Sequence, residues 1–157
     1  MTPAVKLVKR CNVAHTLHSH THDAATTGYG MEAADKLGLA PARVFKTLVV
    51  ELDKDELAVA VLPVSCTLSM KLLARKLDAK KATMASKCAA QRATGYVFGG
   101  VSPLGQKRHL RTVLDRSAMD HASVFVSAGR RGLELELSPQ HLVQLTDAEV
   151  ADICDGN

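Results

Sequence analysis

The chain has 157 residues, of which 46% are hydrophobic and 23% are charged, and its formal net charge is +4. These proportions are typical of one globular domain and exclude a disordered or fibrous protein. The apolar runs are far shorter than the ~20 residues that a membrane-spanning helix needs, and no secretory leader is recognisable, so we expect a cytoplasmic protein without membrane association.

The first third of the chain predicts a helix, a strand and a second helix, in that order. A Thr-Pro pair supplies the N-cap and first turn of a helix over 4–10. Alternating apolar residues over 13–20 predict a half-buried strand. A loop over 21–30 then leads to a helix over 32–37, which a glycine ends.

The middle of the chain contains two apolar runs rich in β-branched residues, over 44–52 and 57–64. A polar segment over 53–56 separates them, which predicts a central hairpin. A serine-capped helix is expected over 70–77, and a shorter helix over 87–92.

The last third predicts three more strands, over 112–114, 123–127 and 133–137. A Ser-Pro pair opens a helix over 139–145, and Thr146 with Glu149 forms a capping box that predicts a final helix. Because the strands mostly meet through hairpins, with helices at the edges, we expect an α+β fold. It comprises a single domain over 1–157, with a central mixed, largely antiparallel and barrel-like sheet flanked by helices.

Positive charge is concentrated between Lys71 and Arg111, where ten basic residues accompany one acid. Such a segment is typical of a polyanion-binding surface, since lysine and arginine release counterions when they neutralise phosphates. A solvated helix face explains the same composition equally well.

Three local patterns could hold a functional site. His15, His18, His20 and His22 could ligate a metal, but without suitably spaced carboxylates or cysteines they are better explained as cleft or surface residues. The glycine-rich segment over 95–105 could bring backbone N–H groups to an anion or oxyanion, or could be a simple turn.

The third pattern is Lys46, a single charge inside an apolar strand. An unpaired ammonium is costly to bury, so it must reach solvent, pair with an acid, or meet an anionic ligand. No Ser-His-Asp order, Gly-x-Ser-x-Gly elbow or paired-acid motif is present. We expect no metal and no cofactor.

Several segments resemble the YbaK family of Cys-tRNA(Pro) deacylases, collinearly over nearly the whole chain. The most specific are the strand Phe45-Lys46-Thr47-Leu48-Val49 and the loop Gly99-Gly100-Val101-Ser102-Pro103-Leu104-Gly105. Further matches are Thr2–Leu7, Leu57–Val61 with Pro63, Gln91–Tyr96 and Ser127–Leu133. The family is related to the editing domain of bacterial prolyl-tRNA synthetases.

This resemblance implies an editing domain over 1–157 that clears cysteine from tRNA(Pro), and possible activity on Cys-tRNA(Cys). It implies that Lys46 orients the terminal adenosine and that loop amides hold the ester carbonyl, while the substrate's own thiol attacks. The implied catalytic residues are Lys46, Gly99, Gly100, Val101 and Ser102. The implied substrate-binding residues are His20, Tyr29, Thr47, Ala60, Pro63, Phe98, Pro103, Ala128, Gly129 and Glu134.

Two of these positions depart from the family pattern, because many relatives have tyrosine in place of His20 and aspartate in place of Glu134. Glu134 is expected to keep the negative charge. The implied partners are the acceptor end of aminoacylated tRNA(Pro) and prolyl-tRNA synthetase. The alternatives are hydrolysis of Ala-tRNA(Pro) by bound water and a non-catalytic tRNA-binding module that uses only the basic segment.

Overall fold

The computed structural model describes residues 1–26, 28–53 and 55–156, which form five α-helices and eight β-strands. The helices are α1 (Pro3–Arg10), α2 (Tyr29–Lys36), α3 (Met70–Lys76), α4 (Lys87–Thr94) and α5 (Pro139–Thr146). The strands are β1 (Thr16–Ser19), β2 (Phe45–Leu52), β3 (Glu56–Pro63), β4 (Ala82–Met84), β5 (Arg111–Asp115), β6 (Val124–Arg130), β7 (Leu133–Leu137) and β8 (Glu149–Ala151).

The strands lie in two sheets. A five-stranded sheet has the order β4-β2-β3-β5-β8, antiparallel from β4 to β3 and parallel from β3 to β8. The other sheet is antiparallel, with the order β1-β7-β6, and a bridge between Val44 and Phe125 connects the two. The α+β class with mixed, largely antiparallel pairing is confirmed, but the strands fall in two sheets and the described residues form no closed barrel.

Alternation along the β2–β3 hairpin builds a core on each face of the larger sheet, because successive side chains point to opposite sides. On one face, Val49 and Val61 pack with α1 and with the smaller sheet. On the other face, Val50 and Leu62 pack with Leu73 of α3. The hairpin therefore separates α1 from α3.

Local sequence signals placed most elements correctly. The hydroxyls of Thr2, Ser69 and Ser138 accept hydrogen bonds from amides in the first turns of α1, α3 and α5. The predicted loop over 21–30 and the predicted turn over 53–56 each include one position outside the described residues, Thr27 and Lys54 respectively.

The predicted final helix is wrong. Thr146 is the last residue of α5 and its hydroxyl donates to the Leu142 carbonyl, so it does not cap a new helix. Asp147 takes a left-handed conformation, and the residues that follow pair in parallel with β5 as β8. Among the described residues, no helix has the length and apolar character to cross a membrane.

Candidate active site

A cleft of about 320 Å³ opens at one edge of the larger sheet. Strand β4 pairs only with Val50–Leu52 of β2, so none of the described strands pairs with Phe45–Leu48 on that side. The start of α2, the glycine-rich loop and the turn between β6 and β7 close around this edge. Eight of the predicted site residues line the cleft: His20, Tyr29, Lys46, Thr47, Phe98, Gly99, Val101 and Glu134.

Lys46 brings the only predicted catalytic charge into this cleft. Its side chain is half-buried, and Nζ donates a hydrogen bond of 2.6 Å to the carbonyl of Cys66, in the segment after β3. None of the ion pairs between described residues includes Lys46. A carbonyl orients an ammonium without neutralising it, so the cation can still attract an anionic ligand.

Thr47, the next residue of β2, adds a polar atom without a described partner to the cleft lining. Its Oγ1 is buried and makes no hydrogen bond to any described residue. Leaving a buried hydroxyl unpaired costs about 1–3 kcal/mol, so such atoms need a specific explanation. A ligand in the cleft could supply the missing hydrogen bond.

The glycine-rich loop approaches its neighbours too closely for side chains. A Cβ on Gly99, which has φ of +87°, would lie 2.6 Å from Cε2 of Tyr29. A Cβ on Gly100 would lie 2.8 Å from the Cα of Arg130. The guanidinium of Arg131 donates to the carbonyl of Phe98 at 3.0 and 2.6 Å and fixes the loop from the β6–β7 turn.

The amides of this loop are not equally available. The Gly100 N–H donates to the carbonyl of Val97 at 3.0 Å, so this amide is already used within the turn. The N–H groups of Gly99 and Val101, both of which line the cleft, donate to no described residue. These two amides are therefore the candidates for holding a carbonyl oxygen or an oxyanion.

An aromatic rim with adjacent cations borders the loop. The rings of Tyr29 and Phe98 meet edge to face at 5.8 Å. Arg131 lies over the Tyr29 ring at 4.8 Å and Lys87 over the Phe98 ring at 4.2 Å. Phe98 is exposed and Tyr29 is half-buried. Accessible aromatic surface beside positive charges is suited to stacking a nucleobase and attracting its phosphate.

Glu134 contributes a buried carboxyl to the cleft. It lies in the central strand of the smaller sheet, opposite Ser127 of β6 and His18 of β1. Its side chain accepts no hydrogen bond from any described residue, and burial raises its pKa to about 8. Burial thus favours the protonated form of the Glu134 carboxyl in the unliganded cleft, whereas the resemblance led us to expect a negative charge at this position.

Glu32 of α2 is a second buried glutamate in the cleft lining, and no sequence pattern indicated it. Its carboxylate accepts hydrogen bonds from His22 Nδ1 at 2.8 Å and from the Asp23 amide at 2.9 Å, and Lys36 lies 3.6 Å away. The hydrogen bond to His22 is the main cause that lowers the Glu32 pKa to about 2. These hydrogen bonds connect the segment after β1 to α2.

The remaining predicted site residues lie outside the cleft lining. Ala60 faces the core beneath α3, Pro63 is buried at the end of β3, and Ala128 packs in the core beneath α1. Ser102 is fully buried, and its Oγ accepts from the Leu104 amide. Gly100, Pro103 and Gly129 likewise do not line the cleft.

The histidines singled out in the sequence diverge to separate surroundings. His15 Nδ1 lies 2.7 Å from the Val13 carbonyl, His18 contacts Glu136, and His22 contacts Glu32. His20 alone of the four lines the cleft. Within the described ranges, no three histidine, cysteine or acidic side chains are placed to share a metal ion.

Comparison with known proteins gives a consistent result. The profile of a family described as the aminoacyl-tRNA editing domain matches residues 23–145. EbsC of Enterococcus faecalis, a proposed Cys-tRNA(Pro)/Cys-tRNA(Cys) deacylase, is 38% identical over 76% of this chain and 73% of its own.

Solved structures share the fold over almost the full length. The hypothetical protein APE2540 superimposes with a TM-score of 0.87 at 26% identity, covering 98% of this chain and 100% of the other. A protein proposed to be a trans-editing enzyme for prolyl tRNA synthetase gives a TM-score of 0.83 at 22% identity, covering 99% of both chains.

Proposed function

Since the chain belongs to the aminoacyl-tRNA editing domain family, and is therefore an aminoacyl-tRNA deacylase, we propose that it removes cysteine from mischarged tRNA(Pro). Residues 1–157 act as one editing domain in this proposal. EbsC, its relative at 38% identity, is proposed to act on Cys-tRNA(Pro) and Cys-tRNA(Cys). The cytoplasmic location stays a prediction.

The observation that carries the proposal is the pairing, in one cleft, of a cation with free backbone amides. Lys46 offers an unneutralised charge for a phosphate or hydroxyl of the terminal adenosine. The amides of Gly99 and Val101 offer donors for the ester carbonyl, which becomes an oxyanion during attack. Together they fit an aminoacyl ester at the 3′ end of RNA.

The described lining of the cleft includes no cysteine and no serine hydrogen-bonded to a histidine. The substrate's own thiol is then the attacking group in our proposal. Its sulfur loses its proton and adds to the ester carbonyl carbon, the bond from that carbon to the ribose oxygen breaks, and the ribose oxygen gains a proton in place of the one that the thiol gave up. The products are a cyclic thioester and free tRNA.

Holding thiol and carbonyl in one folded aminoacyl group makes the reaction intramolecular, which is worth several kcal/mol of the barrier. Glu134 supports the same pose, because its partnerless carboxyl can bind the α-amino group of the substrate. An ammonium beside it favours the ionised carboxylate over the protonated form.

The test is a deacylation panel with Cys-, Ser- and Ala-tRNA(Pro) and with Cys-tRNA(Cys). We expect fast release of cysteine from tRNA(Pro) and slow release of serine and alanine, since neither carries a thiol. Release of alanine at the rate of cysteine would replace self-attack with hydrolysis by bound water. Binding of all four without release above the buffer rate would leave a non-catalytic binding module and reject the proposal.

Prolyl-tRNA synthetase is the proposed partner. The panel repeated with added synthetase should show a rate increase that is specific to tRNA(Pro). An unchanged rate at every synthetase concentration would remove the synthetase from the proposal and leave the deacylase acting alone.

A further inference from the structure

A shallow groove of about 420 Å³ lies between α3 and the segment that leads into β4. Four of its eight lining residues are basic, namely Lys71, Arg75, Lys80 and Lys81, and none of the described lining residues is acidic. The groove thus collects much of the positive charge that the sequence concentrates after residue 70.

The fold holds these cations in place. Lys71 and Arg75 are four residues apart on the exposed side of α3, where like charges destabilise a helix slightly. Lys80 and Lys81 lie at a corner that Asp53 fixes, since its Oδ1 accepts both backbone amides at 3.0 Å. The Asp53 carboxylate therefore binds the main chain of this corner through hydrogen bonds, and it forms no ion pair with the side chains of Lys80 and Lys81.

None of these four side chains takes part in an ion pair between described residues. The neighbouring Lys76, by contrast, lies 3.5 Å from Glu149. Repulsion among unpaired cations costs stability, and a bound polyanion would relieve that repulsion.

The groove and the cleft share one strand. Lys46, Leu48, Val50 and Leu52 alternate along β2 and so point to the same face of the sheet, which α3 covers. Leu52 pairs with Ala82, a lining residue of the groove. Six residues at about 3.3 Å each place the groove roughly 20 Å from Lys46 along the strand. A short single-stranded RNA end spans that distance.

We propose that this groove binds backbone phosphates of the tRNA acceptor stem while the 3′ end of the same molecule occupies the cleft. The inference rests on the proposed function and adds to it a second contact site. Recognition by phosphates alone reads the shape of an RNA helix and carries no base specificity.

The test compares a long with a short ligand. The pair Lys80→Gln and Lys81→Gln should raise the Kd for uncharged tRNA(Pro) about tenfold and lower the slope of log Kd against log salt by about 2. The same pair should leave deacylation of a cysteine-charged CCA oligonucleotide unchanged, because that ligand is too short to reach the groove.

The control is Lys9→Gln with Arg10→Gln, which removes the same charge from the exposed end of α1, across the sheet. Equal weakening by the control pair would show a general charge effect and overturn the proposal. An unchanged Kd for the groove pair, or loss only of binding to the synthetase, would overturn it as well. Tight tRNA binding by a wild type that releases no amino acid would reject the deacylase and leave the groove standing.

Discussion

Two glutamates line the same cleft and are almost equally buried, with exposed fractions of 8% for Glu32 and 7% for Glu134. On the α2 wall, hydrogen bonds and Lys36 lower the pKa of Glu32 to about 2. On the β7 wall, burial without a described partner raises the pKa of Glu134 to about 8. The carboxylate on the α2 wall is hydrogen-bonded by other residues of the protein. On the wall formed by β2 and β7, Thr47 and Glu134 have polar groups without a described partner, which a ligand can bind.

This contrast predicts which substitutions lower activity and which lower stability. Removing a group that is already satisfied by the protein exposes its partners and costs folding free energy. Removing a group that is unpaired until a ligand binds lowers the stabilisation of the transition state instead. Substitutions on the two walls should separate these effects.

The largest effect is expected for Lys46→Ala. The variant should lose about 1000-fold in deacylation, equivalent to about 4 kcal/mol of transition-state stabilisation, while urea unfolding stays close to wild type. Single-turnover deacylation measures the first and a denaturation midpoint the second. Lys9→Ala, on α1, should change neither, and normal activity of Lys46→Ala would show that the cleft does not use this cation.

Glu134→Gln should remove a dependence of stability on pH. The folded protein binds more protons than the unfolded chain between the ordinary glutamate pKa and about 8, so wild-type stability is full below that range and falls as pH rises through it. The loss is at most about 4 kcal/mol between pH 5 and 8, at about 1.4 kcal/mol per unit. Urea titrations at several pH values measure it.

The matched control is Glu136→Gln, two residues along β7. Hydrogen bonds from Ser123 and His18 lower the Glu136 pKa, so this variant should keep the fall in stability towards pH 8. If Glu134→Gln and wild type show the same slope, the carboxyl of Glu134 is not the group that titrates.

The smallest effect, about 2 kcal/mol at neutral pH, is expected for Glu32→Gln, because hydrogen bonds to a buried charged group are lost. The lowered pKa of Glu32 means that its stabilisation is present above the ordinary glutamate pKa and disappears as pH falls towards 2. Glu56→Gln, which removes an exposed partner of Arg111, should cost less than 1 kcal/mol. Equal costs in thermal unfolding would show that the hydrogen bonds of Glu32 stabilise the fold no more than an exposed ion pair does.

Local signals explain what the sequence could predict of the fold. Capping hydroxyls and strand alternation act over a few residues, and they placed α1, α3, α5 and β7 within a residue or two. Strands β4 and β8 have three residues each and exist through pairing with distant partners, β2 and β5. No short-range pattern encodes such pairing, so β4 was missed and β8 was taken for a helix.

The same distinction applies to the site. Lys46 stood out because one charge interrupted an apolar strand, and the glycine-rich loop stood out by composition. Gly30, where a Cβ would lie 2.3 Å from Val64 Cγ1, and Glu32 gave no such signal. Their roles depend on which distant segments meet, as does the ionisation of Glu134.

The bond that aims Lys46 ends on a main-chain carbonyl, that of Cys66. Every amino acid offers that oxygen, so the hydrogen bond itself does not depend on the side chain at position 66. The Cys66 side chain packs against the core on the α3 face, and that packing helps to set the path of the backbone. A substitution there would therefore redirect Lys46 only by moving the main chain, without any direct contact between the two side chains.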